Sequence, residues 1–265
     1  MRAIVSCFVA LIVTTLPIRA HCDIVAPALV GSEASFSSDA RVAIGAYRGM
    51  VEEHVEGIVR ALRVIADTSE AKSGSWDQVK PLLLRLSSSL PTDATAWFVH
   101  PDGSYQATES DSGAEENLKD RTYFPNLMSG KEVFGDLVIS KSTGHRSVIV
   151  AAPVIVDGKT VAGVGVSLRV RLLSQLVDQH MPLPADSYFY ALERDTRITL
   201  HRNAERMFKT PADVGDEALG EQFKTALQQD KGTMEYTLNG KKMVALYERS
   251  PVLGWYFFIA KEMQG

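Results

Sequence analysis

At 265 residues the chain is long enough for two ordinary domains or one large one. Apolar residues make up 45% and charged residues 23%, the balance of a globular protein with a real core rather than a disordered or fibrous chain. With 28 basic and 32 acidic side chains the net charge is −4, which leaves no strongly basic face for a nucleic-acid partner.

Met1-Arg2 is a short basic start, Ala3 to Leu16 is almost wholly apolar, and Pro17 breaks the run before Ile18-Arg19-Ala20. This pattern predicts a signal peptide over residues 1–20, because the apolar stretch is shorter than the roughly 20 residues of a membrane span. An uncleaved anchor is the alternative. Lipidation of Cys22 is disfavoured by Arg19 and His21 just before it. Cys7 lies within the signal, so the mature chain keeps one cysteine and no internal disulfide is expected. Nothing later resembles a second span, and the sequence closes at Gly265 soon after an aromatic strand. The expectation is a periplasmic chain without an output domain of its own.

A long helix is predicted from Asp39 to Thr68. Tyr47, Val51, Val55, Ile58, Leu62 and Ile65 recur at three- and four-residue steps, with charged residues opposite. At 1.5 Å per residue it reaches roughly 45 Å, more than one small sheet needs for cover, so it offers a surface to a second copy or a partner as well as to its own sheet. A second helix follows from Trp76 to about Leu90, completing a helical segment over 37–90.

Strand signals then take over across 91–180. Ala94 to His100 and Ser104 to Thr108 flank the turn Pro101-Asp102-Gly103. An acidic loop runs from Glu109 to Asn117, and a short helical piece spans Thr122 to Met128. Three strands come next, Val133 to Ile139, Ser147 to Val156 and Thr160 to Leu168, the last two joined by Asp157-Gly158-Lys159. A helix covers Val170 to Gln179, and a connector with Pro182 and Pro184 follows.

The same order returns over 185–262: strands at Tyr188 to Glu193 and Arg197 to His201, a helix at Ala218 to Gln229, a hairpin around Asn239-Gly240, and a closing strand from Trp255. Sequential antiparallel strands flanked by helices give an α+β class: a long N-terminal helix followed by two PAS-like modules.

The residues resemble the double Cache sensor domains of bacterial chemoreceptors, histidine kinases and cyclases. The resemblance is carried by Asp120-Arg121-Thr122-Tyr123-Phe124, then Ser129-Gly130-Lys131, Ser140, Gly144, Val150 to Val154 and Val161 to Val164. The second unit is similar to the membrane-proximal module through Leu192 to Asn203, Gly232 to Glu235, Asn239-Gly240-Lys241 and Gly254-Trp255-Tyr256, with Thr196 where a glycine is usual.

That resemblance implies a ligand pocket in the first module, between its sheet and the short helix. Arg121 is then a carboxylate anchor, its planar fork giving two charge-assisted hydrogen bonds; alternatively it is satisfied by Asp120 or strand-end carbonyls and ties helix to sheet. Tyr123 and Phe124 would wall the pocket. Ser140 and Ser167 stand where amino-acid-binding members carry acidic residues for the ammonium, and a serine does not offset a buried ammonium. The implied ligand is a small organic acid. Ser167 equally well ends a strand, Tyr105 either faces the pocket or is core, and Gly163 and Gly165 permit close approach of backbone or ligand.

The six histidines show no metal-ligand spacing, and no nucleophile–base pair or phosphate loop is apparent. Ser69-Glu70-Ala71-Lys72 matches a serine acyl-enzyme string but is read as falling at a helix end, without its companion motifs. The expectation is a binding function, without catalysis or cofactor, reported to a separate membrane signalling protein. An envelope interaction protein with a degenerate pocket is the alternative.

Overall fold

The computed structural model describes residues 39–109, 117–141 and 143–263. The predicted signal peptide and most of the acidic loop, including Asp111, Glu115 and Glu116, lie outside these residues. Among the described residues no helix is long and apolar enough to cross a membrane.

Helix α1, Ala40–Ala66, begins where Asp39 accepts the Arg41 N–H at 2.9 Å, and it stops two residues earlier than periodicity alone predicts. The next turn is its own short helix, α2, Ser69–Lys72, capped by Thr68. The Ser69 string thus opens a helix instead of closing one. Ser69 Oγ donates to Glu70, while Lys72 pairs with Asp67, so the serine and lysine are each engaged elsewhere. Helix α3, Trp76–Ser89, completes the helical segment.

Two five-stranded antiparallel sheets follow. The first is built from β1 (Ala94–Val99), β2 (Tyr105–Ala107), β3 (Val133–Ile139), β4 (Arg146–Val156) and β5 (Lys159–Arg169), in spatial order β2-β1-β5-β4-β3. Helix α4, Phe124–Met128, lies between β2 and β3, and α5, Val170–His180, leads to the second sheet. That sheet contains β6 (Ser187–Leu192), β7 (Ile198–His201), β8 (Lys231–Leu238), β9 (Lys241–Arg249) and β10 (Tyr256–Glu262), in order β7-β6-β10-β9-β8. The two orders are the same. Between β7 and β8 run a 3-10 turn (Ala204–Arg206), α6 (Pro211–Val214) and α7 (Glu217–Ala226). Both predicted hairpin turns take the left-handed pair their residues favour, Asp157 and Gly158 at φ 50° and 76°, Asn239 and Gly240 at φ 51° and 76°.

The length of α1 has a physical reason: it packs on both sheets, against β4 and β5 of the first and β9 and β10 of the second. Every member of its predicted apolar stripe is buried. Near its start, Tyr47 meets Phe189 and Phe257 edge-on, with ring centroids 5.2 and 4.8 Å away. Near its end, Arg63 donates to both carboxylate oxygens of Glu132 at 2.7 and 3.0 Å. A buried aliphatic or aromatic side chain contributes roughly 1.5–3 kcal/mol and an exposed ion pair about 0–1 kcal/mol. Packing holds the helix, and the ion pairs orient it. The stripe is therefore covered within the chain, and the outward face presents only Val42 and Val64 as large exposed apolar side chains of α1.

Candidate functional site

Strand alternation gives the first sheet two different faces. Ala96 and Phe98 of β1, Val148 and Val150 of β4, and Val164 and Val166 of β5 belong to the main core with α1. The intervening residues face the other way, where Trp97, Val99, Ile149 and Ala151 form a second apolar cluster closed by Tyr123, Phe124 and Leu127. Facing Trp97 and Val99 across the ladder are Gly165 and Gly163.

These glycines are filled over by side chains. A Cβ on Gly165 would lie 2.1 Å from the Trp97 ring, and one on Gly163 would lie 2.7 Å from Leu127. The indole is laid across Gly165, and its Nε1 donates to Ser167 Oγ at 3.1 Å. Trp97 was not singled out by the sequence; its signal was a tryptophan paired with a strand glycine, visible only once register is known.

Five of the six predicted site residues converge here. Arg121, Tyr105, Tyr123, Ser140 and Ser167 line one cavity, together with Trp97 and Lys141. Phe124 is buried in the adjoining cluster and packs beside the cavity instead of lining it, because its place at the first position of α4 turns it into the helix–sheet layer. The cavity measures only about 20 Å³, room for one water molecule. Among the described residues no acidic side chain lines it, and two cations do. One guanidinium N–H of Arg121 donates to the Ile139 carbonyl at 2.7 Å, so the strand-end contact foreseen as an alternative is made. Asp120 turns to Lys141 at 2.7 Å, and that hydrogen bond holds its carboxyl below the usual range. Burial pushes the Tyr123 hydroxyl upward, so it stays protonated and able to donate.

The second module has a cavity in the matching place, on the face of its sheet turned away from α1 and beneath the segments that join β7 to β8. It measures about 210 Å³. His201, expected as a strand-end residue, ends β7 and contributes to its wall. Among the described residues no group of three or more His, Cys, Asp or Glu is placed to hold a metal ion.

The family model for the Cache domain matches residues 33–264. No protein of curated function matches the sequence. Among solved structures, the chain resembles the ligand-binding domain of the amino-acid chemoreceptor PctB of Pseudomonas aeruginosa PAO1 in complex with L-Arg, with a TM-score of 0.69 at 17% identity, over 84% of this chain and 93% of that one. The ligand-binding domain of the Pseudomonas fluorescens chemoreceptor CtaA in complex with L-isoleucine gives 0.64 at 15% identity, over 82% and 88%. An extracellular ligand-binding receptor from Desulfohalobium retbaense gives 0.67 at 14% identity, over 87% of this chain and 41% of that one. At such identities the likeness speaks for the fold.

Proposed function

Since the chain belongs to the Cache domain family, we propose that it is a periplasmic sensor of a small organic acid, bound in the first module and reported to a membrane signalling protein. The observation that carries this reading is the convergence of Arg121, Tyr105, Tyr123, Ser140 and Ser167 on one cavity with two cations and, among the described residues, no carboxylate in its wall. Such a wall favours an anion and offers nothing to neutralise an ammonium. Arg121 would exchange the Ile139 carbonyl for the ligand carboxylate, and the Trp97 ring would have to swing from Gly165 to admit more than a water. Ligand binding and a rearrangement of the β1 face are therefore coupled in this reading, as a sensor requires.

The test is thermal unfolding in the presence of acetate, propionate, pyruvate and malate, with amino acids, amines and purines alongside. A bound ligand stabilises by mass action, about 2.7 kcal/mol at a hundredfold excess over Kd. The expected result is a shift with one or more carboxylates that Arg121→Ala abolishes. The closed cavity favours a second reading, an envelope interaction module that no longer takes ligand there; a silent panel with wild-type protein would favour it and overturn the first.

A further inference from the structure

The 210 Å³ cavity of the second module differs from the first in kind as well as size. Most of its wall is apolar, including Ile198, Val214, Leu219, Phe223 and Met243. Four of its polar groups, His201, Arg206, Tyr190 and Tyr236, are linked to one another. His201 Nδ1 accepts the Asn203 N–H at 2.7 Å, so the neutral ring carries its proton on Nε2. That nitrogen faces Arg206 Nη1 at 3.4 Å. Two donors thus oppose each other with no acceptor between them.

The surroundings supply no acceptor of the right charge. Among the described residues no Asp or Glu lines the cavity, and Arg206 makes no ion pair with a carboxylate. Lys241, at the rim, is already engaged by Glu262 at 2.7 Å. The hydroxyls of Tyr190 and Tyr236 lie 3.2 Å apart, so one hydrogen serves the pair and the other is left to a third group. The Arg206 charge acts on His201, Tyr190 and Tyr236 alike, which places all four groups in one electrostatic neighbourhood. Burial keeps the imidazole neutral, and so a single-proton donor, down to about pH 3.

We propose that the second module carries its own ligand site, for a carboxylic acid with an apolar, ring-sized body whose carboxylate is received by Arg206 and His201. A carboxylate there would place an acceptor between the two opposed donors and accept the spare tyrosine hydrogen. The body would occupy the apolar remainder, and the volume suits it: an apolar cavity of about 150 Å³ takes benzene. A free inorganic anion would leave that remainder empty, and an amine would meet Arg206 unopposed.

The test is isothermal titration of the full chain with benzoate, using benzamide as a neutral counterpart of similar shape. Benzoate is expected to bind, and Arg206→Gln to weaken it about tenfold or more while leaving benzamide unchanged. Arg206→Lys, which keeps the charge, should recover part of the loss and guards against a variant that merely misfolds. Arg121→Ala should leave benzoate binding as it was, which separates this site from the one proposed in the first module. The inference is overturned if benzoate, phenylacetate and cyclohexanecarboxylate all give no binding heat. It is equally overturned if Arg206→Gln weakens benzoate and benzamide alike, or if Arg121→Ala and not Arg206→Gln removes binding.

Discussion

The indole Nε1 of Trp255 donates to the carbonyl of Gly135 at 3.2 Å, a bond that runs from the entry to the last strand of the second module into a bulge in the first. Gly135 sits at φ 84°, and a Cβ placed on it would meet the Trp255 ring at 3.3 Å. The backbone conformation therefore demands glycine, and the contact leaves little room for a methyl. Gly135→Ala should cost about 1–2 kcal/mol from the left-handed backbone with a further packing penalty. Trp255→Phe should cost about 1 kcal/mol for the bond and more for the smaller ring. Urea midpoints of the two variants and their double mutant check this. Additive losses would mean that the two residues do not act as one joint.

Tyr47 is fully buried between Phe189 and Phe257, yet among the described residues its hydroxyl has no hydrogen-bond partner. An unmet buried hydroxyl costs roughly 1–3 kcal/mol, and removing it keeps the two edge-on ring contacts. Tyr47→Phe should leave stability unchanged or raise it by about 1 kcal/mol, whereas Tyr47→Ala should lose about 3–5 kcal/mol. A destabilised Tyr47→Phe protein would show that the hydroxyl is satisfied in solution.

His201 gives the second module a pH signature. Its folded pKa is pushed from 6.5 down to about 3, first by burial and then by the Arg206 charge. The unfolded chain therefore takes up a proton before the folded one does. The stability tied to the neutral ring is present above pH 6.5 and drains away as pH falls toward 3, by about 2 kcal/mol between pH 7 and pH 5. Burial raises the Asp136 and Glu193 carboxyls, which works in the opposite sense. The quantity to measure is thus the difference in unfolding free energy between wild type and His201→Asn, whose side-chain oxygen can still accept the Asn203 N–H. Equal losses on acidification in both proteins would refute the assignment.

The elements and their succession along the chain were legible because periodicity, turn dipeptides and the family pattern agreed. Boundaries moved where a cap intervened, as at Asp39 and Thr68. The anomaly at Thr196 also has a structural counterpart: it adopts φ 72°, the conformation a glycine would take freely. What the sequence withheld were relationships across the sheet. That Trp97 lies over Gly165 follows from register, and that Phe124 misses the cavity wall follows from where α4 starts. The helical pieces before α7 were missed because Ala204–Arg206 and Pro211–Val214 are too short to show a period. With them went Arg206, a cation in the wall of the larger cavity.

The Trp97 ring limits what the first cavity admits. It rests on Gly165, and its Nε1 is bound to Ser167, so the ring and the serine fill the wall that a longer ligand would use. Trp97→Phe removes the Nε1 donor and the far edge of the indole that lies over Gly165, and releases the Ser167 hydroxyl from that bond. The variant should lose about 1 kcal/mol for the hydrogen bond plus a cavity term, yet accept carboxylates one or two carbons longer than wild type does. Larger apolar anions would then shift its unfolding temperature more than acetate does, whereas the wild type is expected to favour the smaller acid. Gly165→Ala makes the complementary case: its methyl would collide with the ring at 2.1 Å, forcing the indole off the sheet. If Trp97→Phe leaves the order of preferred acids unchanged, the indole is core and not the gate of a site.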